Sequence, residues 1–173
     1  MPHDCTERQP HPLPGTDVLS ANSTDTVWKP NVTVAAVVER NGAFLLVEEE
    51  TAHGIRYNQP AGHLEAGESL LDAVIRETLE ETAWHFTPTA LLGIYQYRHV
   101  GDGVTYLRFA FTGELTAHQP GRALDAGILR ALWLPPDAIR ASRAQHRSPL
   151  VLQCMDDYLS GRRHPLHLLH HHV

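Results

Sequence analysis

Cysteine is nearly absent from this chain of 173 residues; Cys5 and Cys154 are the two present. Neither has a partner at metal-ligand spacing, and two cannot form a disulfide framework, so both read as free thiols of a protein expected in the reducing cytoplasm. No apolar run approaches the roughly 20 residues of a membrane span. The first residues lack the basic, then apolar, then small-residue order of a signal peptide. Lysine and arginine together number 14 against 20 aspartates and glutamates, a formal charge of −6. No basic cluster stands out, which argues against a nucleic-acid or anionic-membrane surface. A phosphorylated ligand would then be reached through a bound cation and a few local arginines. What is present is a hydrophobic content of 42% and a charged content of 20%, the balance of one globular domain with a core of its own.

Residues 1–28 contain Pro2, Pro10, Pro12 and Pro14 without periodicity and predict a flexible leader. Strand-like runs at 32–39 and 43–48 flank Arg40-Asn41-Gly42, a hairpin signal. Residues 53–60 lead into a glycine loop, which Pro60 requires Gln59 to enter extended. Ser69, with Asp72 three residues on, marks a helix N-terminus; the helix ends near Trp84, and Pro88 reads as a break. Strands follow at 91–99 and 105–115 around a glycine-bearing hairpin turn, then a last strand at 128–134. Pro135-Pro136-Asp137 opens a short helix and Ser148-Pro149-Leu150 a longer one to about Ser160, with Gly161 after it. This order predicts an α/β fold, a mixed sheet with helices on its faces. The domain is expected over 29–165. The His-rich tail, 166–173, reads as a disordered end, although its histidines would suit a transition metal.

The chain is organised around residues 62–84, GHLEAGESLLDAVIRETLEETAW. At about 100° per residue, Leu71, Val74, Ile75, Thr78 and Leu79 share one side of a helix, and Glu77, Glu80 and Glu81 share another. Like-charge pairs three and four residues apart destabilise an isolated helix by about 0.2–0.5 kcal/mol each. Carboxylates near a helix C-terminus also oppose its dipole. No lysine lies on this helix to make it a salt-bridged surface. A hard divalent cation such as Mg²⁺ or Mn²⁺ would reverse both penalties, whereas the plainer reading is a solvated acidic face.

Counted from Gly62, five residues lead to Glu68, seven more to Arg76-Glu77, and Thr78, Leu79, Glu80-Glu81, Thr82, Ala83 and Trp84 complete the pattern. The spacing resembles the Nudix box, Gly-x5-Glu-x7-Arg-Glu-U-x-Glu-Glu-x-Gly-U, with U bulky and apolar. Two positions depart from it: Thr78 replaces an aliphatic residue, and Ala83 replaces a glycine that a left-handed helix cap would favour. The resemblance implies a Nudix-type α/β/α sandwich that hydrolyses phosphoanhydrides with Mg²⁺, or Mn²⁺. It implies Glu77, Glu80 and Glu81 as metal ligands, one carboxylate taking a proton from water, and a further ligand from the backbone near Ala61-Gly62. Glu68 and Arg76 are expected to pair and brace the loop. Further pieces between 29 and 165 resemble a phosphatase branch of the family. That branch acts on hydroxymethylpyrimidine pyrophosphate, thiamine pyrophosphate and nucleoside di- and triphosphates.

Outside the box, Arg108 interrupts an apolar strand pattern and is the leading candidate for a substrate phosphate; the alternative is an outward-facing residue of an edge strand. Glu65 is either a further ligand or a solvated side chain, and His63 either touches substrate or packs. Asp125 lies where an extra carboxylate is common in the family. Trp84 and Trp133 read as core. The expected partner is a small pyrophosphate or nucleotide, with the protein a monomer or homodimer. Competing readings are a house-cleaning triphosphate pyrophosphatase, an ADP-ribose hydrolase, and a nucleotide sensor of the same fold without turnover.

Overall fold

A computed structural model describes residues 27–172. Most of the expected leader, Cys5 and the final tail residue lie outside them. The elements are β1 (Asn31–Ala36), β2 (Glu39–Arg40), β3 (Ala43–Thr51), β4 (Gly54–Asn58), β5 (Ala61–His63), α1 (Leu70–Thr82), β6 (Trp84–Arg98), β7 (Thr105–His118), β8 (Ile128–Leu134), α2 (Pro136–Ala141) and α3 (Leu150–Leu159). The mixed sheet has the order β5-β1-β7-β6, with β1 parallel to β7 and the other neighbours antiparallel. A second sheet is antiparallel throughout and centred on β3, which pairs with β2, β4 and β8.

Alternation along the strands divides the core into two layers. Ala35, Val37, Phe44 and Leu46 pack with Ile139 of α2 and with Val151 and Met155 of α3. Val34, Ala36, Val38 and Leu45 pack with Ala73 and Val74 of α1. Full burial of one such valine is worth about 1.5–3 kcal/mol, so the two layers dominate over any single cap or ion pair. The result is an α/β/α sandwich.

The expected strand at 32–39 is two strands in different sheets. Val37 donates its N–H to Phe111 O at 2.7 Å, while Val38 O accepts from Leu45 N–H at 2.9 Å, so the chain changes sheets between them. Residues 34–38 are buried throughout, so no polar residue marks the crossing. Residues 54–58 and 61–63, read as lead-in and loop, form β4 and β5. Pro88 lies inside β6, at a register irregularity opposite Gly113. β6 is a terminal strand of its sheet, where a missing N–H costs little. The tail is also ordered as far as it is described. His164 and Leu91 exchange backbone hydrogen bonds of 2.8 and 2.9 Å, and Leu166 and Leu169 pack against the α1 layer.

Local chemistry fixes both ends of α1. Ser69 Oγ accepts from Asp72 N–H at 3.1 Å, a cap worth about 1 kcal/mol. At the other end Ala83 is left-handed, with φ of 59°, and its N–H donates to Leu79 O. This conformation costs an L residue roughly 1–2 kcal/mol. Surrounding contacts hold it there: Ala83 O accepts from Gln119 N–H at 2.9 Å, and the Arg40 guanidinium lies 4.7 Å from the Trp84 ring and 5.2 Å from Trp133.

Candidate active site

α1 and β5 meet where Gly62 faces Glu77. A Cβ on residue 62 would overlap the Glu77 carboxyl group, so this glycine is required by close approach. Glu77 and Glu81 are 8% and 9% exposed, a burial that carboxylates rarely reach unless paired. Among the described residues, oxygens of Glu77, Glu80 and Asp125 lie within 4.8 Å of one another. Asp125 comes from the loop before β8, and its N–H donates to Glu80 O at 3.1 Å, tying that loop to the helix.

Glu81, on the same helix, is not one of this trio. Its Oε2 accepts the Ala61 N–H at 2.8 Å. Burial pushes its carboxyl up to about 8; the Ala61 hydrogen bond opposes this, and the charges of Glu77, Glu49 and Asp125 reinforce it. Glu77 is also raised, chiefly by burial, against the pull of Arg76. Ala61 therefore contributes its N–H to Glu81.

Arg76 spreads its guanidinium over the cluster. Nε and Nη2 donate to Glu68 at 3.1 and 2.7 Å, Nη2 also reaches His63 O at 3.0 Å, and Nη1 donates to Glu77 at 2.7 Å and Glu80 at 3.0 Å. Glu68 additionally accepts the Glu65 N–H at 2.7 Å. The Arg76 hydrogen bond holds the Glu68 carboxyl below its ordinary range. The loop from His63 to Glu68 is thus fastened to α1 by one side chain. Glu65 itself is mostly exposed, its carboxylate 4.0 Å from Arg76. Thr78 is fully buried, and its hydroxyl is satisfied by Val74 O at 2.7 Å.

The carboxylates open onto a cavity of about 1120 Å³. Its lining follows the register of the mixed sheet, in which His63, Thr33 and Arg108 are successive partners across β5, β1 and β7. β7 also pairs with β6, so Arg108 is not on an edge strand. It is 8% exposed, donates from Nη1 to Asn58 Oδ1 at 3.5 Å and Gln59 Oε1 at 3.4 Å, and lines the cavity. His63 is exposed at the rim, its ring centroid 6.4 Å from that of Tyr106. Trp84 and Trp133 lie elsewhere, against Arg40. Glu49, Tyr97, Tyr106 and His146 also line the cavity and were not singled out in the sequence. Glu49 carries no signal of its own in the sequence, because it stands in a run of three glutamates, Glu48 to Glu50, near the end of β3.

The carboxylate trio offers only hard oxygen ligands, and Arg76 is the one arginine bonded to it among the described residues. Such a donor set fits a small divalent cation. A NUDIX domain model matches residues 28–154. The chain is 39% identical over 143 residues to phosphatase NudJ of Escherichia coli strain K12, covering 83% of this chain and 92% of that one. A NUDIX hydrolase structure from Nitrosomonas europaea is 52% identical, covers 83% of this chain and 98% of its own, and superposes with a TM-score of 0.82. The NUDIX domain of Shewanella oneidensis NrtR, complexed with ADP ribose, shares the fold at 19% identity and a TM-score of 0.62, covering 82% of this chain and 94% of that one.

Proposed function

The chain belongs to the Nudix family of hydrolases, and from that premise we propose that it uses a divalent cation, Mg²⁺ or Mn²⁺, to release orthophosphate from organic diphosphates. The substrates are those of a NudJ-like phosphatase: hydroxymethylpyrimidine pyrophosphate, thiamine pyrophosphate and nucleoside di- and triphosphates. The observation that carries this reading is the trio Glu77, Glu80 and Asp125 at one end of a cavity large enough for a nucleotide. Its likeness to NudJ over most of both chains supports the choice of branch.

Glu77, Glu80 and Asp125 would hold the cation, with Glu81 beside them. When bound, the cation supplies Lewis acidity toward the diphosphate oxygens and toward water. Water oxygen attacks the terminal phosphorus, the bridging P–O bond breaks with its electron pair left on the bridging oxygen, and orthophosphate leaves, the second product being the organic monophosphate from a diphosphate or the diphosphate from a triphosphate. Glu81, oriented by the Ala61 N–H, takes the proton of the attacking water. Arg76 and Glu68 keep the helix and glycine loop in register, so that these carboxylates face the substrate.

Product identity tests the reading. A panel of hydroxymethylpyrimidine pyrophosphate, thiamine pyrophosphate, nucleoside di- and triphosphates and ADP-ribose is incubated with Mg²⁺, and orthophosphate and pyrophosphate are measured separately, with Glu81→Gln alongside. Orthophosphate release lost in the variant is the expected result. Pyrophosphate from triphosphates or cleavage of ADP-ribose would assign a different branch, and binding without turnover would point to a sensor.

A further inference from the structure

Four buried side-chain atoms among the described residues lack any hydrogen-bond partner: Thr33 Oγ1, Glu49 Oε1, Arg108 Nε and His146 Nδ1. All four residues line the same cavity. Each unpaired group costs about 1–3 kcal/mol, and such groups are scarce in native folds unless a ligand or water completes them. Their convergence on one space marks it as built for a polar ligand.

Glu49 is the carboxylate of this set. It lies on β3, next to Glu48, which is satisfied by Arg130 at 2.7 Å. Glu49 has no such bond: Arg147 Nε stands 3.8 Å from its Oε1, beyond hydrogen-bonding reach. It is also outside the trio of Glu77, Glu80 and Asp125. Arg108 supplies the matching donor, a guanidinium on a residue nine-tenths buried that lines the cavity. Tyr97 and Tyr106 are directly paired across β6 and β7 and line the same space, a half-buried aromatic surface on which a planar ring can stack.

We propose that this is the subsite for the organic half of the substrate, where an aromatic heterocycle stacks on Tyr97 and Tyr106, donates an exocyclic amino N–H to the Glu49 carboxylate, and accepts from the Arg108 guanidinium at a ring nitrogen. This rests on the hydrolase reading above and names the ligand class of that site. Stacking supplies affinity for any ring; the carboxylate supplies discrimination. A ring carbonyl in place of the amino group would set two acceptors face to face and leave Glu49 unpaired. Arg108 then serves the ring, not the phosphates.

The α,β-methylene analogues of CDP and UDP resist hydrolysis and differ in this edge: amino group and bare ring nitrogen in one, carbonyl and ring N–H in the other. Calorimetric titration with Mg²⁺ is expected to show the cytidine analogue binding about tenfold tighter to the wild type. Glu49→Gln, which presents both a donor and an acceptor, brings the two analogues to near equality. Tyr97→Leu weakens both alike. Equal binding by the wild type, a preference that survives Glu49→Gln, or no binding of either analogue overturns the subsite. The wild-type comparison decides the matter even if a variant fails to fold. Orthophosphate release from true diphosphates upholds the hydrolase reading whichever way the binding comparison falls.

Discussion

Gly62 and Glu77 stand so close that the space a Cβ would take at position 62 is already filled by the Glu77 carboxyl group. The displaced group would be the far end of a flexible side chain, so Gly62→Ala should leave folding nearly intact while moving a carboxylate of the trio. Misplacement on this scale is expected to lower kcat by about 10²-fold. Steady-state kinetics beside a thermal unfolding curve would check it; an unchanged kcat would mean that the position of Glu77 does not matter.

In protein freed of metal by a chelator, the Glu81 carboxyl sits at about 8 against an ordinary 4.5. A group raised in the folded state contributes stability that is fully present below its unfolded value and is lost as pH rises through its folded value. Stability should therefore fall between about 4.5 and about 8, with Glu77, raised in the same direction, adding to the loss. Glu68, depressed, acts only at more acidic pH. Unfolding curves across this range should slope downward for the wild type and flatten for Glu81→Gln. Added Mg²⁺ should restore the lost stability, and more strongly at the alkaline end.

Arg76 bonds Glu68 through two nitrogens and also reaches Glu77, Glu80 and His63 O. Lysine offers one charge point and cannot span these partners. Arg76→Lys should lower Mg²⁺ affinity or activity by about 10- to 100-fold, the usual effect of losing a group that orients metal ligands. Activity measured as a function of Mg²⁺ concentration gives the answer; an unchanged curve would reduce Arg76 to a surface charge.

Ala83 is held at φ 59°, where glycine is free of the roughly 1–2 kcal/mol cost of a Cβ. Against glycine's larger loss of chain entropy, about 0.5–1 kcal/mol, Ala83→Gly should be slightly stabilising. A small rise in the unfolding midpoint with kinetics unchanged is the expected result; a fall would show that the methyl group packs better than its backbone strain costs.

Much of the fold was legible because it is written in local chemistry. Asn41 and Gly42 both take positive φ in the β2–β3 turn, Ser69 caps α1 through Asp72, and the strand read at 128–134 is β8 to the residue. The spacing of charges along one helix likewise follows from its period. The rest depends on pairings between distant residues. The sheet change at Val37–Val38 is hidden in an apolar run because both of its faces are covered. Arg108 reads either as a substrate contact or as an edge residue until β1 and β6 are placed on either side of β7, which excludes the edge. Glu49 looks like its neighbours until the partner that Glu48 has, and it lacks, is seen.

The most direct test of metal-dependent hydrolysis at this site is orthophosphate release from a diphosphate substrate as Mg²⁺ is added back to chelated protein, for the wild type and Glu77→Gln. Activity that is absent without the cation, returns saturably in the wild type and fails to return in the variant is the predicted result. Release that persists in chelator, or returns equally in Glu77→Gln, would contradict the assignment of these carboxylates to the metal.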